Sequence, residues 1–238
     1  MKLVIDIGNT STKLGLFEGK GMFSRSCINN CNLEDIRNFV ANNNVEASII
    51  SSVRDIDSEI QRILDDYNGV LLSSTMSIPI KNKYKTIDTL GNDRLAAVVG
   101  GYALYPHRDI IVFDAGTCLT VDIINAEGEY IGGRISPGIE MRYKALHAFT
   151  DKLPLLVKSK KSSFFGSATN SSIVSGVQQG ILAEIKSFIT DCKLKKTNLI
   201  TIITGGDCFY FEKELKNTIF ANPNLVLIGL NEILDYNA

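Results

Sequence analysis

The stretch Lys2-Leu-Val-Ile-Asp-Ile-Gly-Asn-Thr-Ser-Thr-Lys-Leu-Gly-Leu-Phe17 decides how this chain is read. Leu3, Val4 and Ile5 suit a strand buried on both faces, and Asp6 stands at its end. Gly8 then lets backbone amides come close to an anion. Asn9, Thr10, Ser11 and Thr12 offer short polar groups, and Lys13 brings the only positive charge of the turn. This is the composition of a phosphate loop, in which Asp6 would hold a hydrated metal. Gly-Asn is also a common turn pair, so the stretch taken alone fits an ordinary β-hairpin with a polar tip equally well.

The rest of the chain narrows the choice. Its 238 residues, 45% of them hydrophobic, can bury one large core or two smaller ones. Basic and acidic side chains nearly cancel, 25 against 26, so no global field recruits nucleic acid or an anionic membrane. Any anion must be bound locally. No leader and no apolar run of membrane-spanning length is recognisable, and a soluble cytoplasmic protein is expected. The 5 cysteines include no C-x-x-C pair and no zinc spacing, and read as reduced thiols, Cys27 and Cys31 included. The 2 histidines, His107 and His147, sit in no hydrolase motif.

Strands and helices alternate. Asn32 caps a helix over Leu33–Ala41, a strand follows over Ala47–Val53, and Asp57 caps a second helix reaching Tyr67. Val70–Leu72 reads as the next strand, which makes an α/β layer architecture. Ser73–Thr89, carrying Tyr84, reads as a loop. Gly91-Asn-Asp-Arg94 opens a helix that runs to Leu104, and Gly100 and Gly101 within it imply a close helix contact, since each costs roughly 1 kcal/mol relative to Ala. A boundary at Tyr105 divides the chain into 1–105 and 106–238.

The second half opens as the first did. Ile110-Ile-Val-Phe-Asp-Ala-Gly-Thr-Cys-Leu-Thr120 is again an apolar strand, an Asp at its end and a Gly-polar turn. Asp6 matches Asp114, Gly8 matches Gly116, Asn9 matches Thr117 and Thr12 matches Thr120. One such turn is common; two, each flanked by strands, indicate a duplicated domain. Beyond it, Gly132–Gly138 reads as a turn into a helix at Met141–Phe149, and Asn170–Cys192 as a long helix whose Gly176 and Gly180 allow close backbone approach. Thr197–Thr204 reads as a strand ending in Thr204-Gly-Gly-Asp207, Leu225–Ile228 as the strand that closes the sheet, and Leu230–Leu234 as a last helix. Asp122 and Asp207 read as solvated strand-end acids.

Asp6-Ile-Gly-Asn-Thr10, Gly91-Asn-Asp-Arg94, Asp114-Ala-Gly-Thr-Cys-Leu-Thr120, Gly132-Gly-Arg-Ile-Ser-Pro-Gly138 and Thr204-Gly-Gly206, in this order, resemble the motifs of the type III pantothenate kinases. The resemblance implies two tandem ribonuclease H-like domains of the actin-like ATPase fold with a nucleotide cleft between them. It implies transfer of the ATP γ-phosphoryl group to pantothenate, the first step of coenzyme A biosynthesis. It places ATP on Asp6, Ile7, Gly8, Asn9, Thr10, Ser11, Thr12, Lys13, Gly116, Thr117, Thr120, Gly205 and Gly206. Pantothenate falls on Tyr84, Gly91, Asn92, Asp93, Arg94 and Thr169, with Asp93 as general base, Arg94 on the substrate carboxylate and Thr169 supplied across a homodimer. Asp114 is implied to hold a monovalent cation, potassium or ammonium, and Asp6 to hold the Mg²⁺ of ATP through water.

Elementary chemistry agrees with these roles. The Arg94 fork suits a carboxylate because it can bind both oxygens. Asp93, at a helix N-terminus beside Arg94, is a weak base, which phosphoryl transfer tolerates because the hydroxyl proton leaves late in a loose transition state. Two other readings stand beside the kinase: a metal-dependent nuclease on the same fold using Asp6, Asp93 and Asp114, and an inactive or regulatory relative.

Overall fold

The computed structural model describes residues 1–29, 32–54, 57–196, 198–216 and 218–238. In chain order it contains β1 (Lys2–Ile7), β2 (Thr12–Glu18), β3 (Gly21–Ile28), α1 (Leu33–Val40), β4 (Ala47–Ser52), α2 (Ser58–Asp66), β5 (Gly69–Leu71) and β6 (Lys81–Asn82). After a 3₁₀ turn at Ile87–Thr89 come α3 (Asn92–Leu104), β7 (Ile110–Ala115), β8 (Cys118–Ile124), β9 (Glu129–Pro137), α4 (Ile139–Ala148) and α5 (Thr169–Lys193). The chain finishes with β10 (Ile200–Thr204), α6 (Cys208–Leu215), β11 (Phe220–Ala221) and α7 (Leu225–Tyr236). Two mixed sheets result, of order β3-β2-β1-β4-β5 and β11-β10-β7-β8-β9-β6, and the fold is α/β. Two compact units are present: 1–108 with 122–132 and 224–238, and 109–121 with 133–223.

In the first unit, β1 lies between an antiparallel β2 and a parallel β4, with Asp6 opposite Lys13 and Ile7 opposite Thr12. Leu3, Val4 and Ile5 are fully buried, as a strand covered on both faces requires. One face is covered by α1 and α2 through Ile36, Val40, Ile60, Ile63 and Leu64. Both helices start where their caps predict: Asn32 accepts from the Asp35 amide at 2.7 Å, and Asp57 accepts from the Glu59 and Ile60 amides at 3.0 and 2.9 Å. The residues between β2 and α1 were not read as a strand; β3 occupies them as an edge strand, with half-buried and exposed side chains alternating.

The other face of this sheet is met by α7, which packs on β1, β4 and β2 and on α3. The two helices approach to backbone contact. A Cβ added to Gly100 would lie 2.3 Å from the Leu225 carbonyl oxygen, and one on Gly229 would lie 1.8 Å from the Ala96 carbonyl oxygen. The close contact expected at Gly100 is therefore present. Leu225–Ile228, however, is the first turn of α7 and not a closing strand. Because α7 is buried on almost every side, its sequence lacks the polar face that would mark a helix. The edge of the second sheet is taken by β11, parallel to β10.

In the second unit β7 runs parallel to β10, with Asp114 opposite Thr204. The stretch from Gly132 to Pro137 forms part of strand β9 rather than a turn, and the bend it does contain sits at Gly132, whose φ is +125°. Gly138 then opens α4. Helix α5 buries Ile173, Val177, Ile181, Leu182, Ile185, Phe188 and Ile189. Among the described residues nothing beyond their own helix lies within 4 Å of a Cβ added to Gly176 or Gly180, so the close approach expected there is not made among them. The strand expected from Thr197 begins at Ile200, and Thr197 itself lies outside the described residues, as does Cys31. Among the described residues no helix is long and apolar enough to cross a membrane.

The glycine contact between α3 and α7 carries a direct test. Gly229→Ala is expected to lower stability by about 1–3 kcal/mol, the usual cost of forcing a methyl group into a packed interior. A urea midpoint followed by far-UV circular dichroism should fall accordingly; an unchanged midpoint would show that the helices can part freely.

Candidate active site

The first unit carries the Asp6–Lys13 turn. Asp6 is 6% exposed at the end of β1, and the Gly8 amide donates to the Ser11 carbonyl at 3.0 Å, which closes the turn. Ile7 is buried beneath it, while Asn9 and Thr10 are exposed at the tip. The Thr12 hydroxyl is buried with no hydrogen-bond partner among the described residues. Lys13 extends from the strand facing Asp6. Arg54, which the sequence reading passed over, donates from Nη2 to the Asn9 carbonyl at 3.0 Å and adds a second cation to this turn.

The same unit builds the group around α3. Gly91 is the N-cap, and the Asp93 carboxylate accepts the Arg94 amide at 2.8 Å. A Cβ on Gly91 would lie 2.5 Å from Asp93 Oδ1, so a side chain there would displace the carboxylate. Asn92 donates to the Leu72 carbonyl at 3.0 Å and tethers the start of the helix to the end of β5. It also lines a cavity of about 410 Å³ with Ser74, Met76, Asn82, Leu90 and Tyr236.

Arg94 is 6% exposed. Its Nε donates to both Asp122 oxygens at 3.2 Å and its Nη2 to Asp122 Oδ1 at 2.6 Å. Asp122 is 1% exposed and also accepts from the Tyr130 hydroxyl at 2.6 Å. Tyr84 stacks on Tyr130, centroids 5.9 Å apart, and the Arg94 guanidinium lies 5.5 Å from the Tyr84 ring centre. Burial opposes the charge on Arg94, but the hydrogen bonds and charge of Asp122 outweigh it, and the guanidinium pKa is raised. Burial, and then the Asp122 charge, raise the Tyr130 phenol, which stays a neutral donor. Burial also raises the Asp122 carboxyl, a rise that the bonds from Arg94 and Tyr130 hold back.

Asp122 corrects the sequence reading, which took it for a solvated strand-end acid. A signal was available: a lone acid inside the apolar strand Leu119–Ile124 and a base, Arg94, that leads directly into the apolar run Leu95–Leu104 each need a buried partner.

In the second unit the Gly116 amide donates to the Cys118 carbonyl at 2.9 Å, making a tight turn directly after Asp114. The Gly138 amide donates to the Thr117 carbonyl at 3.1 Å, and a Cβ there would lie 2.3 Å from the Gly116 carbonyl oxygen. The start of α4 thus supports this turn from beneath. Gly205, with φ +90°, passes so close that a Cβ on it would be 2.5 Å from Asp114 Oδ1. Gly206 beside it is open, with nothing within 4 Å. The hydroxyls of Thr120 and Thr204 are buried and lack partners among the described residues. Asp207 forms an ion pair with Lys158 and is not merely solvated. Thr169 begins α5 and lines a separate cavity of about 810 Å³ with Leu146, Leu153 and Ile173.

Among the described residues no group of three or more His, Cys, Asp or Glu side chains could hold a metal. Zinc-type sites are therefore not built here. Asp6 and Asp114 each stand near the end of a strand, and oxygen ligands of this kind suit hard cations.

Comparison places this arrangement. A polyphosphate/ATP-glucomannokinase from Arthrobacter sp. strain KM superposes with a TM-score of 0.52 at 12% identity, covering 99% of this chain and 98% of that one. A Baf family protein from Campylobacter jejuni superposes with a TM-score of 0.65 at 23% identity, covering 99% and 98%. The fold is that of the actin-like ATPases, shared with sugar kinases. The family described as type III pantothenate kinase matches residues 2–191. A type III pantothenate kinase of Bacteroides fragilis (strain YCH46) is 41% identical over 239 residues, covering 100% of this chain and 98% of the relative. The chain belongs to the type III pantothenate kinases, phosphotransferases that phosphorylate pantothenate in coenzyme A biosynthesis.

The two neighbouring glycines of the β10 end should separate cleanly on mutation. Gly205→Ala is expected to reduce ATP affinity at least about tenfold, because a Cβ at a left-handed backbone position presses on the Asp114 carboxylate. Gly206→Ala, in open space, should leave the fold intact. Calorimetric titration with ATP, alongside circular dichroism, checks both; equal affinity in Gly205→Ala and the unmodified chain would remove Gly205 from the site.

Proposed function

We propose that the chain transfers the γ-phosphoryl group of ATP directly and in line to the hydroxyl of pantothenate, giving 4'-phosphopantothenate. One observation carries the reading: two buried strands, β1 and β7, each end in a carboxylate followed at once by a glycine turn with hydroxyls beside it. In this reading residues 6–13 and Gly116, Thr117 and Thr120 hold the phosphates, and Gly205 and Gly206 take the adenosine against backbone. Asp6 would hold the Mg²⁺ of ATP through water, and that ion would supply charge neutralisation at the phosphate oxygens. Asp114 is assigned the monovalent cation, potassium or ammonium. Residues 1–105 and 106–238 are taken as the two ribonuclease H-like domains, divided by duplication rather than by compactness.

Pantothenate is assigned to Tyr84, Gly91, Asn92, Asp93 and Arg94. Asp93 accepts the hydroxyl proton, and the Arg94 N–H groups not engaged with Asp122 take the carboxylate. Most of the rate then comes from positioning and charge neutralisation, with Asp93 orienting the nucleophile. Thr169 is assigned to the substrate of a second copy in a homodimer. That assignment is supported by the exposed apolar side chains Phe149, Phe164 and Phe165, and by the open backbone at Gly176 and Gly180.

Asp93→Asn is expected to lower kcat about 10²–10⁴-fold, the range for loss of a positioned base. Circular dichroism and ATP affinity should be unchanged, since among the described residues the Asp93 side chain bonds its own helix turn. Full turnover in this variant would exclude Asp93 as the base.

A further inference from the structure

We propose that Asp122, oriented by Tyr130, is a positioning residue for substrate recognition: it grips Arg94 along its Nε edge and leaves the Nη1 end as the only face offered to a substrate carboxylate. The proposal rests on the reading of Arg94 as the carboxylate contact and adds the device that sets its geometry.

A guanidinium has five N–H donors in one plane. Asp122 occupies the Nε–H and one Nη2–H. The Arg94 Cζ lies over the Tyr84 ring, 5.5 Å from its centre, and the Tyr84 hydroxyl is a further hydrogen-bond neighbour of the guanidinium. The outer edge, with two N–H groups on Nη1 and one on Nη2, is not engaged by Asp122. This edge matches a carboxylate with two parallel bonds. With the side chain only 7% exposed, the guanidinium cannot swing to meet an anion elsewhere.

Each partner of Arg94 is fixed in turn. Asp122 is held by the Tyr130 hydroxyl, and Tyr130 is fully buried. Tyr84 is held by its stacking on Tyr130 and by its amide, which donates to Asn82 Oδ1 at 2.9 Å. Gly132 packs beside this ring, where an added Cβ would be in ordinary contact at 3.6 Å. Helix α3, strands β8 and β9 and the segment before α3 thus converge on one guanidinium.

The arrangement has a consequence for selectivity. Asp122 nearly cancels the Arg94 charge, so an anion is attracted by two directed hydrogen bonds more than by net charge. Such a site should discriminate by the shape of the acid, and lose that discrimination when the guanidinium is freed.

The test compares pantothenate with pantothenol, in which a CH₂OH group replaces the carboxylate, using the full chain and ATP. The unmodified enzyme should prefer pantothenate in kcat/KM by at least about tenfold, the value of a charged hydrogen-bonded pair. Asp122→Asn, which keeps the shape and removes the charge, should raise KM for pantothenate about 10–100-fold, leave kcat and KM for ATP within about threefold, and reduce the preference to near unity. Tyr130→Phe, which removes one hydroxyl, should reduce the preference by about threefold to tenfold. It serves as the deciding variant if Asp122→Asn fails to fold. A purely structural role would lower turnover of both substrates together, and an unchanged preference in the folded variants would overturn the proposal. If the unmodified enzyme showed no preference, the assignment of Arg94 to the carboxylate would fall, and the proposal with it.

Discussion

A guanidinium can leave water inside an apolar helix only where a carboxylate meets it. Helix α3 is buried from Arg94 to Gly101, and Arg94 is the one charge within that buried stretch. Asp122 supplies the partner from β8, and removing one member of such a buried pair typically costs about 3–5 kcal/mol. Through this contact the Arg94 side chain is held against β8, and through Tyr130 against β9. In buried pairs of this kind desolvation commonly offsets most of the attraction. The effect of the pair is to choose one geometry for the residues assigned to the substrate.

The second recurring constraint is glycine at points of backbone approach. Gly100 and Gly229 let α3 and α7 meet without side chains between them, and Gly138 and Gly205 press backbone against the turn after Asp114. Each of these glycines stands where a carbonyl or carboxylate oxygen would otherwise be struck. The turn after Asp114 is thus bounded by backbone that cannot move far, which is what a site acting through positioning requires.

Much of the first half was legible because its signals are local. Asn32 and Asp57 cap helices through bonds to amides two or three residues away, and an aspartate closing an apolar run before glycine marks a strand end. The features that were misread depend on distant partners. Leu225–Ile228 was taken for a strand because α7 is apolar nearly all round, a pattern set by the helix and sheet that enclose it. Gly132–Pro137 carries turn residues, yet β9 continues through them. Asp122 was set aside because the face to which it points follows from the register of β8, which no local motif encodes. For the candidate site, the motif residues could be named from the sequence, whereas the cage around Arg94 required the fold.

Coupled release of ADP by the purified chain tests phosphoryl transfer to pantothenate most directly. With Mg²⁺-ATP and potassium, ADP should appear only when pantothenate is added, in step with its conversion to a phosphorylated product, and more slowly when sodium replaces potassium. ADP release independent of pantothenate, or no turnover with pantothenate in either salt, would contradict it.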